Sequence, residues 1–156
     1  MNKIIVAIAV TIFSAFLGLF ILPRKVETTR WVKVDTEESV VWTEISDAKK
    51  WNQWQPWASD VNSTSIPWDG GEVSNIQVID DPARAVKEVT FDVAPVGKGR
   101  LYLEKVPEGL WIRCEYIYEA PYSPIQRLEG WMHRSEVALK IDSGLEKLEQ
   151  LLKEKP

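Results

Sequence analysis

The chain has 156 residues, enough for one domain of ordinary size, and its 45% hydrophobic and 27% charged content argues against intrinsic disorder. A single cysteine excludes an intrachain disulfide and any Cys-based zinc site, and a single histidine, His133, excludes a multi-histidine metal cage. Net charge is −4, but from Val26 onward sixteen basic residues face 23 acidic ones, a net −7 that argues against nucleic-acid binding by phosphate neutralisation.

Ile4 to Leu22 is an uncharged run whose polar members are Thr11 and Ser14. At about 1.5 Å per residue it spans roughly 28 Å, near the thickness of a bilayer's hydrocarbon core. It exceeds a usual signal-peptide core and lacks a small-x-small cleavage site before Pro23-Arg24-Lys25, so the sequence predicts an uncleaved single-pass anchor over residues 1–25. Lys3 lies on one side of the run, and Arg24, Lys25, Arg30 and Lys33 lie on the other. The positive-inside count leans toward a cytoplasmic domain, but Arg30 and Lys33 belong to the folded part, and the side stays open.

The domain is expected over 26–156. Thr28–Val34 alternates as a first strand. Asp35, with Glu38 three residues on, has the pattern of a capping box for a helix whose apolar residues are Val40, Val41, Trp42 and Ile45. Asp47 opens a second short helix carrying Trp51 and Trp54, and Pro56 stops it. Five strands follow, over 62–68, 73–79, 85–93, 99–106 and 110–119, separated by short turns such as Asp69-Gly70-Gly71 and Pro107-Glu108-Gly109. Short loops imply an antiparallel meander. Last comes a helix from the N-cap Ser123, with Pro124 at its first position and Gln126 completing a capping box, to about Lys153. Leu128, Met132, Ser135 and Leu139 mark an apolar stripe on its first half, and Ile141, Leu145, Leu148 and Leu152 on its second. The fold class is α+β: a curved antiparallel sheet of about six strands wrapped on a long C-terminal helix, preceded by one transmembrane helix.

Three stretches resemble the START-like, or SRPBCC, superfamily of helix-grip proteins, in particular its bacterial polyketide cyclase/dehydrase-like branch. They are V-V-W-T-E-I-S-D-A-K-K-W-N-Q-W-Q-P-W (40–57), the Trp68-Asp69-Gly70 turn, and D-S-G-L-E-K-L-E-Q-L-L-K-E (142–154). The resemblance covers essentially 26–155, and many members begin with one apolar segment, which here implies the bacterial inner membrane. Members generally show seven strands against six counted here, which implies a trimmed sheet edge. The resemblance also implies a pocket between sheet and helix for a hydrophobic small molecule or lipid. It transfers no catalytic constellation, and function has to be argued from the site.

The expected lining is Phe91, Leu101, Leu103, Ile112, Cys114, Tyr116 and Tyr118 from the sheet, with Leu128, Met132, Ser135 and Leu139 from the helix. Tyr116, Tyr118 and Ser135 would orient a polar group of the ligand. Cys114 and His133 form a nucleophile–base pair on paper, but a buried core thiol and a helix-flank histidine are the expected reading. Trp51, Trp54 and Trp57 recur at three-residue spacing as a sugar platform would, yet the expectation is that Trp51 and Trp54 staple the short helices to the sheet. Asn62-Ser63-Thr64 is a lone glycosylation sequon, and Asp80-Asp81 reads as a turn rather than a metal site. No catalytic residue, metal or cofactor is assigned. A membrane-anchored binding protein leads, ahead of a cyclase-type enzyme using the same pocket and a structural module with a filled core.

Overall fold

The computed structural model describes residues 2–55, 66–68, 71–93, 97–120 and 122–155. Helix α1 spans Asn2–Leu19, strand β1 Lys25–Val34 and helix α2 Glu38–Ser46, followed by a 3-10 helix at Ala48–Gln53. Strands β2 (Ile66–Trp68), β3 (Gly71–Asp81), β4 (Val86–Val93), β5 (Gly97–Val106) and β6 (Gly109–Glu119) come next, and α3 (Pro124–Lys153) closes the chain. The sheet is antiparallel in the order β1-β6-β5-β4-β3-β2, with five long strands and a three-residue β2 at one edge. A register shift between Ser74 and Gln77 bends β3, with Asn75 at φ 50° on the bulge. The sequon, Trp57 and the Asp69-Gly70 turn lie outside the described residues.

Alternation sorts each strand into two faces. In β6, Leu110, Ile112 and Cys114 are buried, whereas Trp111, Arg113 and Glu115 are only partly so. The inner face meets α3 over β1 and β6, where Arg30 Nε pairs with Asp142 at 3.1 Å. The other half of that face is covered by α2 and the 3-10 helix. Trp51 and Trp54 are both 1% exposed, the Trp51 ring meets Phe91 edge-on at 5.1 Å, and Trp51 Nε1 donates to Ile45 O at 2.9 Å. The two indoles therefore staple the short helices to the sheet, and they offer no platform for a sugar.

The helix starts are partly as the sequence predicts. Ser123 Oγ accepts from Gln126 N–H at 3.2 Å and Asp47 accepts from Lys49 N–H at 3.0 Å. The capping box at Asp35 does not form: α2 begins two residues later, from Glu37, with no side-chain cap.

The phase of α3 corrects the expected stripe on its first half. Its buried residues are Arg127, Gly130, Ala138, Ile141, Gly144, Leu145, Leu148 and Leu152. Met132 and Leu139 are 62% and 70% exposed, Ser135 is exposed, and Leu128 is half-buried. The helix carries two apolar stripes on opposite sides, and the sheet takes the one with small residues. A side chain on Gly130 would overlap the Tyr118 ring, so this contact requires glycine.

Among the described residues no helix is long and apolar enough to cross a membrane. The expected transmembrane helix over 4–22 differs from what forms, because the α-helix stops at Leu19 and its uncharged part reaches only about 24 Å against roughly 30 Å of hydrocarbon. Its apolar side chains are nonetheless exposed all round, and 3-10 bonds from Phe20, Ile21 and Leu22 N–H carry the turn to Leu22. The end of this segment is tied to the domain. Arg127 is buried and donates from Nη1 to Phe20 O at 3.2 Å and from Nε to Ala120 O at 3.1 Å, while Ala120 N–H donates to Arg24 O at 2.9 Å.

The observed helix phase makes a direct prediction. Leu148→Asp would place a carboxylate in the core and should cost several kcal/mol, about 3 or more, whereas Leu139→Asp should stay within about 0.5 kcal/mol. Chemical denaturation of both variants checks this, and a larger loss for Leu139→Asp would overturn the phase.

Candidate functional site

The interior between sheet and α3 is built on two glycines of β5. Phe91 pairs with Gly99 across the β4–β5 ladder, and a Cβ on Gly99 would overlap the Phe91 ring. A Cβ on Gly97 would lie 2.7 Å from Tyr116 Oη. Both rings therefore lie flat on a bare strip of backbone. Phe91, Leu101, Leu103, Ile112 and Cys114 are all buried in one apolar cluster, with Tyr116 half-buried against it. The structure thus gathers the sheet half of the expected lining, including Tyr118, which sits under Gly130 of α3. It does not gather the helix half: Met132, Ser135 and Leu139 point away from the sheet.

The residues that do face the sheet from α3 differ from that stripe because they are small or charged and carry little hydrophobic signal. Gly130 and Ala138 lie there, and Arg134, four residues from each, shares their side of the helix. Arg134 is exposed even so, as is every residue from Trp131 to Glu136. Its long side chain reaches out to solvent from a position flanked by the Tyr118–Gly130 contact and the packed second half. Arg134 there stacks on Trp131, with 5.1 Å from guanidinium carbon to ring centroid.

Titration follows burial. Desolvation pushes the Tyr116 hydroxyl up to about 12, so it stays protonated and able to donate at neutral pH. Desolvation, with Glu115 nearby, likewise pushes the Cys114 thiol up to about 12, which suppresses the thiolate. His133 is exposed and its Nδ1 pairs with Glu136 Oε2 at 3.0 Å on the solvent side, so Cys114 and His133 form no catalytic pair. Among the described residues no group of three His, Cys, Asp or Glu is placed to hold a metal.

One buried carboxylate lies elsewhere. Glu44 of α2 is 2% exposed, and its Oε1 accepts from Lys50 Nζ at 2.9 Å and Lys155 Nζ at 2.7 Å. It ties the C-terminal end of α3 to α2 and the 3-10 helix, which is a structural role. Burial pushes its pKa up, but the bonds and attraction of Lys155 and Lys50 outweigh this and hold it below the ordinary carboxylate value.

The fold has known counterparts. No family model matches the chain, and no curated protein matches it in sequence. Solved structures do match in shape. A Bacillus halodurans protein has a TM-score of 0.61 at 10% identity, covering 83% of this chain and 99% of that one. A Nitrosospira multiformis protein has a TM-score of 0.58 at 12% identity, covering 81% and 96%. The di-domain ARO/CYC StfQ from the steffimycin biosynthetic pathway has a TM-score of 0.55 at 10% identity, covering 84% of this chain and 51% of its own. This likeness is one of fold alone: α+β, with a curved antiparallel sheet and a C-terminal helix as in helix-grip proteins.

Glu44 generates a pH prediction. A carboxyl whose folded pKa is depressed contributes stability above its unfolded pKa, and that contribution disappears as pH falls through the folded value. Glu44→Gln should cost about 1–3 kcal/mol near neutral pH. It should also flatten the acid limb of the stability curve below the ordinary carboxylate range, and urea melts from neutral to acid pH check this. Parallel acid limbs in wild type and variant would remove Glu44 from the linkage.

Proposed function

We propose that the chain is a membrane-tethered helix-grip protein that binds a hydrophobic or amphipathic small molecule or lipid between its sheet and the first half of α3. The observation that carries this reading is Arg134, exposed on the same side of α3 as Gly130, which covers Tyr118, and the mouth of the proposed site is placed there. Tyr116, Tyr118 and the β5 glycines would form its floor, apolar apart from protonated phenol hydroxyls, with Arg134 and Glu129 as the charges nearby. Together they suit an apolar body with a polar head. The cyclase-like neighbour supports a ligand-holding fold and carries no reaction to this chain.

The tether is proposed on the segment 4–22 as a whole. Its α-helical part and the following 3-10 turn satisfy the backbone through Leu22 and together reach about 30 Å, and the exposed apolar side chains have no protein cover. The fold proper begins at Arg24 and Lys25, which pair with Ala120 and Glu119. Removing residues 1–22 should therefore release the chain from the membrane fraction and leave a cooperatively unfolding domain. Retention of the truncated chain in washed membranes would overturn the tether.

The binding reading is tested on the full chain in a mild non-ionic detergent. Native mass spectrometry should show an apolar adduct on the wild type. Arg134→Trp, which plugs the opening from an exposed position, should lose the adduct while stability changes by no more than about 0.5 kcal/mol. A wild type without adduct, unable to take up a fluorescent fatty acid, would favour the filled structural module instead.

A further inference from the structure

The face of the sheet turned away from α3 carries a concavity. It has a volume of about 620 Å³ and is lined by Thr29 and Trp31 of β1, Glu104 and Val106 of β5, Glu108 of the β5–β6 turn, and Trp111, Arg113 and Glu115 of β6. The register assembles it: Trp31 lies opposite Arg113, Trp111 opposite Glu104, and Thr29 opposite Glu115. The two indoles are diagonal neighbours on one face, and Trp31 is 62% exposed. Large aromatic surface left open on a strand is costly in water and needs a reason.

The charge around the indoles is lopsided. Glu104, Glu108 and Glu115 bring three carboxylates against one guanidinium. Arg113 is already committed, with Nη2 at 2.9 Å from Glu104, Nε at 3.4 Å from Glu115, and its carbon 4.4 Å from the Tyr102 ring centroid. It is therefore not placed to receive an anion, and Glu104 and Glu115 are engaged with it, which leaves Glu108 as the lining carboxylate outside these ion pairs. Lys33, opposite Trp111 and on the same face as Trp31, reaches the Gly109 turn at the edge of the concavity. Indole faces and a carboxylate attract the same kind of guest, because the ring quadrupole and the carboxylate charge both favour a cation.

We infer that this outer groove is a binding site for a small organic cation, a quaternary or primary ammonium with an apolar body, held between Trp31 and Trp111 with Glu108 as counter-charge. The volume admits such a molecule, and the open mouth lets an apolar tail extend along Val106. The site is separate from the interior beneath α3, so neither depends on the other.

The test is isothermal titration of the full chain in neutral detergent with benzyltrimethylammonium, alongside its uncharged carbon isostere neopentylbenzene. The cation should bind saturably, at least about tenfold more tightly than the isostere, and added salt should weaken it. Trp31→Ala changes an exposed residue and should abolish binding without altering the melting temperature. Glu108→Gln should weaken it about threefold to tenfold. Arg134→Trp, which blocks the interior, should leave it unchanged. The inference is overturned by any of four results: no saturable heat up to about 10 mM cation, equal binding of the isostere, full binding by Trp31→Ala, or binding of oligolysine but not of the small cation.

Discussion

Everything on the inner face depends on the absence of two side chains from β5. Because Gly97 and Gly99 present bare backbone, the rings of Tyr116 and Phe91 can lie against the strand instead of standing off it. Phe91 lying flat makes room for Trp51, and the Trp51 indole, hydrogen-bonded to Ile45 O, fixes the angle between α2 and the 3-10 helix. Glu44 on the same helix then receives Lys155 from the end of α3. One strip of glycine thus sets the depth at which aromatic rings, short helices and the C-terminus all sit. Two methyl groups there would force the layer outward, and a core of this density tolerates such overpacking poorly.

Much of this was legible in sequence because alternation is strict where one face is buried. The parity of Leu101, Leu103, Ile112 and Cys114 assigns the inner face correctly, and the turn residues fix the strand order. The phase of the first half of α3 was not legible, for a definable reason. Leu128, Met132, Ser135 and Leu139 make a more regular stripe than the residues that are actually buried there. Hydrophobic periodicity reports what a helix could bury, whereas the partner's shape decides what it does bury. The Tyr118 ring lies directly under α3 at Gly130, so the helix turns Gly130 and Ala138 to the sheet. Two small residues eight apart, Gly130 and Ala138, were the available signal, weak because such pairs occur on many helix-packing faces.

The two sides of the sheet differ in how they treat aromatic residues. Inside, Trp51, Trp54 and Phe91 are buried and touch one another, so their energy is spent on packing. Outside, Trp31 and Trp111 are flanked by carboxylates and kept apart from the core, a placement that adds little to stability. The acidic balance of the domain is partly concentrated on this outer face, which is where a cationic guest gains from it.

Arg127 links the proposed tether to the proposed opening. Its guanidinium binds Phe20 O at the end of the apolar segment and Ala120 O at the end of β6, and it belongs to the first turn of α3. A buried charge held by two carbonyls has one favourable geometry, so the segment cannot swivel freely against the domain. Arg134 lies seven residues further along α3, about 10 Å from Arg127 along the axis. With residues 4–22 in a bilayer, as proposed, the opening would stand within roughly a headgroup's depth of the surface. An amphipathic molecule could then pass from the bilayer edge to the Tyr116–Tyr118 floor with little exposure of its apolar body to water. Breaking the Arg127–Phe20 bond would leave both parts folded but free the angle between them. The geometry of that junction, more than the length of the apolar run, is what would let a tethered domain present its opening to the membrane.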